Sequence, residues 1–278
     1  MTEARGFTLV ELIIVMVIIG VIAAVVAVFI TGPISGYVDV MRRAQLSDAA
    51  DTTLRRISRD LRQALPNSVR VDSNNRFLEY IPTSNGSRYL VEVPDILDFT
   101  TADSSFGFLG ETIAATGFIV VFNTGQVSSG TRAAPGCVGA DAYEGCNRSA
   151  GTAAGNLVSL TAPFKFPFAS PSNRFHILPA SGPVTLACEG VAAAAGNGSG
   201  TLKIYTGYKT GGDWGSAAPT PPGGATSTSL LAQYVSACTF TYTSGITASN
   251  GLVTLRLALT RNNETVTLHH QVHVDNSP

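Results

Sequence analysis

A long run of apolar residues near the N-terminus limits what this chain can fold into more than any other feature. Residues 12–30 contain no charged or strongly polar side chain, and residues 7–10 extend the run. About 20 such residues cross the hydrocarbon core of a bilayer as a helix. A secretory signal peptide would have a shorter apolar core followed by a small-x-small cleavage site, but here the run continues past Ala23 and Ala24. We therefore expect one membrane-spanning helix over residues 7–31.

Glu11 is the unusual residue of this segment. It places a carboxylate directly before the most apolar part of the run. An ionised carboxylate in hydrocarbon is costly unless a positive group pairs with it, so an acidic residue inside a membrane helix is by default a functional candidate. The simpler alternative is that Glu11 belongs to the first helical turn and reaches the membrane interface.

The residues around Glu11 resemble a known processing site. The heptapeptide Arg5-Gly6-Phe7-Thr8-Leu9-Val10-Glu11 is similar to the one at which type IV prepilins and type II secretion pseudopilins are cleaved. The resemblance implies that a prepilin peptidase removes residues 1–6 by cutting after Gly6, and that Phe7 becomes the N-methylated first residue. It also implies that Glu11 pairs with the N-terminal amine of a neighbouring subunit inside the filament core.

The same resemblance implies a place in the cell and a set of partners. Charge counting leaves the topology open, because Arg5 lies on one flank of the apolar run and Arg42 and Arg43 lie on the other. The resemblance implies a cytoplasmic N-terminus, a single pass through the inner membrane and a periplasmic bulk, with later incorporation into a pilus at the cell surface. The implied partners are the prepilin peptidase, other major and minor pilins, and the inner-membrane assembly platform.

Beyond the apolar run, a stripe of apolar residues predicts a second, amphipathic half of the helix over residues 32–65. The stripe has the period of a helix and needs a sheet to cover it; it consists of Leu46, Ala50, Leu54, Ile57, Leu61 and Leu65. A bend is expected near Pro33, and Pro66 ends the pattern. The other face mixes arginines with aspartates, which is either a solvated surface or a set of charges that pair with neighbouring subunits.

Residues 66–278 have the pattern of short strands joined by turns, which predicts a β-rich periplasmic part. The strands are expected at residues 76–81, 88–93, 117–123, 157–160, 175–178, 184–188, 202–208, 252–260 and 265–274. The last two flank Arg261-Asn262-Asn263-Glu264 and form the clearest hairpin. Residues 190–200 and 211–228 are low in complexity and predict exposed loops. The expected fold is α+β, with the long helix packed on an antiparallel sheet that carries inserted loops, as the pilin resemblance also implies.

The four cysteines, Cys137, Cys146, Cys188 and Cys238, are expected to form two disulfides. An even number without a CxxC spacing fits disulfides better than a zinc site, and three pairings are formally possible. We favour Cys137 with Cys146, which closes a small glycine-rich loop, and Cys188 with Cys238, which joins two strand-like segments across a long insertion. Four unpaired buried cysteines are the alternative.

Composition and motifs argue against nucleic-acid binding and against catalysis. The net charge of −1 provides no basic stripe that could track phosphates. No GxSxG, HExxH or phosphate-binding loop is present, so we expect neither an enzyme nor a cofactor. His269 and His273 are about 13 Å apart on a strand and cannot share a zinc ion, and His270 faces the other way. We expect them to be surface and core residues of a sheet unless His176 joins them. Asp95, Asp98 and Asp103 leave calcium as an open alternative, although their spacing matches no EF-hand.

Two further stretches resemble one kind of pilin more than others. Residues 55–62 are similar to the helix region of the larger minor pseudopilins, the J type of type II secretion and the W type of pili. Residues 174–184, 202–208 and 270–278 resemble a minor pilin-like component of the mannose-sensitive haemagglutinin (MSHA) pilus. These resemblances imply a minor pilin that acts in pilus assembly, in initiation or at the tip. A tip adhesin would need an exposed binding surface, for which Trp214, Tyr205 and Tyr208 are the candidates.

Overall fold

The computed structural model describes residues 8–92, 94–127, 139–209, 214–215, 219, 223, 227–245 and 250–278 of the chain, without the side chains at 31–33 and 35. Its described part contains one helix, α1 (Leu9–Arg62), followed by fifteen strands. The strands are β1 (Arg70–Val71), β2 (Phe77–Tyr80), β3 (Asn85–Tyr89), β4 (Asp103–Leu109), β5 (Ile113–Val121), β6 (Arg148–Gly155), β7 (Leu157–Phe164), β8 (Arg174–Leu178), β9 (Val184–Glu189), β10 (Ala193–Ala194), β11 (Asn197–Gly198), β12 (Gly200–Thr206), β13 (Ser227–Thr243), β14 (Gly251–Arg261) and β15 (Glu264–Val274). The α+β class predicted from the sequence is confirmed.

The helix α1 is continuous over 54 residues and is therefore about 80 Å long. It passes through Pro33 without a break in the helical backbone. It ends at Arg62, three residues before the predicted end at Leu65. The reason is that the backbone of residues 63–65 pairs with residues 81–83: the Leu65 amide donates to the Ile81 carbonyl at 2.8 Å, and Ala64 forms a β-bridge with Pro82.

The second half of α1 packs on a seven-stranded antiparallel sheet. The strand order is β1-β2-β9-β12-β13-β14-β15, and the helix contacts β13, β14 and β15. All members of the predicted stripe are buried, and all but Leu65 belong to the largest core cluster, together with apolar residues of the sheet. The apolar stripe is thus buried from Leu46 onward, whereas the described side chains of residues 34–45 are mostly exposed.

The C-terminal hairpin is the best predicted element of the sheet. Strands β14 and β15 pair in register from Gly251 with Val274 to Arg261 with Glu264. Asn262 and Asn263 form the two-residue turn with φ of 49° and 65°, which asparagine tolerates better than most residues. The even-numbered residues of β15 are buried or partly buried and the odd-numbered residues are exposed, so His270 lies on the opposite face from His269 and His273, as predicted.

A six-stranded closed barrel corrects the expectation of one sheet with inserted loops. The strand order is β3-β4-β7-β6-β5-β8, and the barrel has its own aromatic core around Phe106, Phe108 and Phe175. Strand β6 was not predicted because it consists mostly of glycine, alanine, serine and threonine, a composition with weak strand propensity overall. Small residues are needed there: a Cβ on Gly151 would lie 2.9 Å from the Ser159 carbonyl oxygen.

The two segments expected to be exposed loops also differ from the prediction. Residues 190–200 include the small hairpin of β10 and β11, whose turn residues Ala195 and Gly196 have φ of 46° and 76°. In the described part of 211–228, Trp214 is 2% exposed and the last two residues already belong to β13. Trp214 is buried because it packs in a third core cluster with Phe118, Tyr143 and Leu178.

Candidate functional site

The exposed N-terminal half of α1 is the candidate functional site. Thr8 caps the helix in an extended conformation, and its hydroxyl accepts a hydrogen bond from the Glu11 amide at 3.3 Å. Glu11 lies in the first turn, where the helix dipole favours a negative charge. No salt bridge joins Glu11 to a side chain in the part of the chain that the structure describes. Its carboxylate is thus available to a positive group from another chain.

The surface that follows Glu11 is apolar on every side. Leu9–Ile30 has a mean hydropathy of 3.4 over its most apolar window, none of which is buried. Soluble monomeric proteins rarely expose an apolar patch of this size, because water contact with it is unfavourable. The 22 residues span about 33 Å, which matches the hydrocarbon thickness of a bilayer. One helix of this length and composition fits a single-pass membrane protein.

The other half of α1 fixes this surface to the rest of the molecule. Besides the buried stripe, the Thr53 hydroxyl donates to the Leu231 carbonyl at 3.0 Å, which ties the helix to β13. Arg43 lies 3.5 Å from the carboxylate of Glu264 at the start of β15. A second arginine, Arg55, pairs with Asp51 within the helix at 2.6 Å. The buried stripe and the contacts of Thr53 and Arg43 hold α1 on the sheet, while residues 9–30 are left free to enter a membrane or a filament.

Comparison with protein families agrees with this geometry. The prokaryotic N-terminal methylation motif matches residues 1–27. The motif supports a type IV pilin-like or pseudopilin-like protein. It implies processing by a prepilin peptidase and assembly with other pilins in the membrane, and it indicates a structural subunit rather than an enzyme. No curated protein and no solved structure matches the chain.

The cleavage and methylation sites predicted at Gly6 and Phe7 lie outside the described residues, as does Cys137. The structure joins Cys188 on β9 to Cys238 on β13 by a disulfide with a Cα–Cα distance of 6.1 Å. Cys238 lies three residues beyond Val235, where the pairing of β12 with β13 ends. Cys146 is also disulfide-bonded. The complete pairing stays a prediction, which peptide mapping without reduction would test.

The sequence contains histidines and aspartates that had to be considered as metal ligands. Among the described residues, no group of three or more histidine, cysteine and acidic side chains is placed to hold a metal ion. His269 and His273 are exposed on β15, and His270 is partly buried on the opposite face. The Asp98 carboxylate accepts hydrogen bonds from the Thr100 and Thr101 hydroxyls at 2.7 and 2.6 Å, and these bonds lower the pKa of the Asp98 carboxyl. Its oxygens are thus used within the loop.

Of the three aromatic residues expected for a tip adhesin, Trp214 is not exposed, which corrects the prediction for that residue. Trp214 is buried, with the Arg148 guanidinium 3.4 Å above its ring and Phe118 in edge contact at 5.2 Å. The Tyr208 hydroxyl is 2.7 Å from a carboxylate oxygen of Glu79, and Tyr205 bonds to Glu189. Trp214 is thus part of the core, whereas Tyr205 and Tyr208 are partly exposed and bonded to acidic side chains of the sheet.

Sequence analysis missed a buried ionic cluster centred on Glu79. The Glu79 carboxylate is 1% exposed, and it contacts Arg70 and lies 2.8 Å from the Lys209 ammonium. Burial and the nearby Glu79 charge raise the pKa of the Tyr208 hydroxyl, so it stays protonated and can donate to Glu79. Alternation along strand β2 would place Glu79 and Leu78 on opposite faces of the sheet. Nothing in the sequence identifies the two cationic partners of Glu79. Buried carboxylates need such partners to be tolerated.

Proposed function

We propose that this protein is a minor pilin-like subunit of a type IV pilus of the MSHA kind, acting in pilus assembly, in initiation or at the tip. The observation that carries the proposal is the exposed apolar helix Leu9–Ile30 with Glu11 in its first turn, within a matched methylation motif. A helix that exposes apolar side chains all round needs lipid before assembly and other helices after it. A filament of helices packed side by side provides the second environment.

The proposed assembly contact is a charge pair between chains. After removal of residues 1–6, the amine of Phe7 is a positive group at the start of the helix. The Glu11 carboxylate of an adjacent subunit would neutralise it, and the attraction between the two charges would offset part of their desolvation penalty. This pair would set the axial position of one helix against the next, because an offset leaves both charges buried and unpaired.

The MSHA assignment rests on sequence resemblance. The region from Arg174 to Val184, the segment around β12 and the residues from His270 to Pro278 resemble the MSHA pilus protein MshO. A minor pseudopilin of the J type in type II secretion is the alternative, because residues 55–62 resemble that group as well. A pilus-tip binding module is the other alternative, and it needs a surface different from the buried Trp214.

Substitution of Glu11 tests the charge pair. We expect Glu11→Gln to leave membrane insertion and leader removal intact, with a mature N-terminus at Phe7. Incorporation into filaments should fall by about tenfold or more, because the amine of the neighbour loses its partner in an apolar environment. The measurement is the amount of variant in sheared pili relative to the amount in the membrane, with N-terminal sequencing of the membrane form.

The matched control is Glu111→Gln, since Glu111 is an exposed carboxylate between β4 and β5. This variant should be incorporated normally. A mature N-terminus other than Phe7 would contradict the proposed processing. Normal incorporation of Glu11→Gln would remove the pairing role, as expected only for a tip subunit without a neighbour above it. Loss of the variant from the membrane would show that Glu11 serves insertion instead.

A further inference from the structure

A groove of about 560 Å³ lies on the barrel where β3, β8 and the end of β4 meet. Phe175 and Ile177 of β8 face the barrel core, so the alternate residues of that strand face outward. The groove follows this outer face, and its wall includes Gly86, Arg88, Leu109, Gly110, Arg174 and His176. None of these residues belongs to the helix.

Two arginines stand opposite each other in this groove. Arg88 of β3 and Arg174 of β8 are direct partners in the strand register. Like charges in that position repel each other and destabilise a sheet unless an anion lies between them. Neither arginine forms a salt bridge with any acidic side chain that the structure describes. The pair is thus positively charged and has no salt-bridge partner among the described residues, while the charge of Asp275 acts on the neighbouring His176.

His176 and Gly86 form the adjoining part of the wall. They are also direct register partners, two residues along from the arginine pair and on the same face. The Nε2 atom of His176 is buried and has no hydrogen-bond partner among the described residues. Gly86 has no side chain, so this part of the groove stays open. A Cβ at this position would lie 3.3 Å from Nδ1 of His176 and 2.9 Å from the Phe175 carbonyl oxygen. Most buried side-chain polar atoms in proteins have a hydrogen-bond partner, so this atom is unusual.

We propose that this groove binds an oxyanion group of a small ligand, a carboxylate or a sulfate, between Arg88 and Arg174. Guanidinium groups bind such planar or tetrahedral oxyanions through paired, charge-assisted hydrogen bonds. Leu109 is 56% exposed beside the site and offers an apolar contact for the rest of the ligand. The chemistry therefore fits an organic anion better than a neutral molecule. The proposal is independent of the role of α1 in assembly.

Binding is tested on the full chain in micelles of a neutral maltoside detergent, so that the micelle adds no charge. Isothermal titration calorimetry compares sodium benzoate with benzamide, which has the same ring without the charge, and with inorganic sulfate. We expect benzoate to bind at least about tenfold more tightly than benzamide, which corresponds to one charge-assisted hydrogen bond. Competition by sulfate would show that both anions use the same site.

Variants locate the site. Arg88→Gln and Arg174→Gln should each weaken benzoate binding by about tenfold. The matched control, Arg256→Gln, removes an exposed arginine of β14 that does not line the groove and should leave binding unchanged. The protein could bind sulfate but not benzoate, and both groove variants could lose the binding of sulfate. That result would support the oxyanion site and exclude the apolar contact at Leu109. Equal affinity for benzoate and benzamide, no binding of either anion, or unchanged binding in both groove variants would overturn the proposal.

Discussion

The pKa of the His176 imidazole is set by the groups around it. The side chain of His176 is partly buried and lies on the same face of β8 as Arg174. The charge of Asp275, from the C-terminal segment, also acts on it. Burial, and then the positive charge of Arg174, lower the pKa of its imidazole to about 4, while Asp275 acts in the opposite direction. The ring is therefore neutral at physiological pH, and the folded state resists its protonation.

This lowered pKa predicts an acid-dependent loss of stability. The imidazole of the unfolded chain titrates near 6.5 and that of the folded chain near 4. Between these values the unfolded state binds more protons, so stability falls as the pH is lowered from about 6.5 to 4. In denaturant titrations at several pH values, His176→Gln should lose on the order of 2 kcal/mol less than the wild type across this window. The control His269→Gln, on the exposed face of β15, should follow the wild type. An identical pH profile for His176→Gln would contradict the lowered pKa.

At the scale of elements, α1 consists of two halves with opposite requirements. Its first half exposes apolar side chains that need lipid or other helices, and its second half buries an apolar stripe against β13, β14 and β15. The backbone is helical throughout, and the two halves differ in their side chains and in what surrounds them. The stripe can pack against a single sheet because residues three and four apart lie on the same face of a helix.

The same substitution in the two halves should therefore have different effects. Ile57 is 1% exposed in the stripe, whereas Ile18 is 51% exposed in the apolar half. We expect Ile57→Ala to lower the free energy of unfolding by about 2–5 kcal/mol, because it removes buried methylenes and leaves a cavity. Ile18→Ala should change it by no more than about 0.5 kcal/mol. Denaturant titration in detergent, followed by the fluorescence of the buried Trp214, measures both. Equal effects would show that the stripe does not carry the contact between helix and sheet.

At the scale of the whole molecule, a polar seam joins the barrel to the seven-stranded sheet. Asn123, just after β5, donates from its side-chain amide to the Pro66 carbonyl at 2.6 Å. Its side-chain oxygen accepts from the Ala142 amide at 2.8 Å, and its carbonyl accepts from Asn67 at 2.9 Å. The Tyr143 hydroxyl donates to the Ser68 carbonyl at 2.8 Å. These buried bonds fix how the barrel sits on the chain that leaves α1.

Removing one member of this seam should loosen the barrel from the sheet. Asn123→Ala leaves a buried carbonyl and a buried amide without partners, which costs roughly 2–4 kcal/mol. Hydrogen exchange followed by mass spectrometry should show faster exchange at residues 67–68 and 140–147, with β14 and β15 unchanged. Asn250→Ala, at an exposed position before β14, serves as the matched control. Unchanged exchange in Asn123→Ala would mean that the apolar contacts around Trp214 hold the two parts together without the seam.

Prediction from the sequence succeeded where a short-range pattern dominates. The leucine stripe of α1 and the alternation of β15 were read correctly because each follows the period of its own element. The barrel was not predicted, because β6 has few apolar residues and its pairing with β5 and β7 depends on distant segments. Trp214 was placed on the surface for a related reason: its flanking residues have the composition of a loop, and only the third core cluster accounts for its burial.

Local patterns of residues were enough to predict the features of this protein that depend on nearby side chains. These are the apolar helix with Glu11 in its first turn, the α+β class and the terminal hairpin with its asparagine turn. The tertiary structure alone decided which residues meet across long separations: Glu79 with Arg70 and Lys209, Arg88 opposite Arg174, and the barrel against the sheet. The physical reason is that helix and strand periods act over a few residues, whereas ion pairs and strand closure depend on how distant segments are brought together.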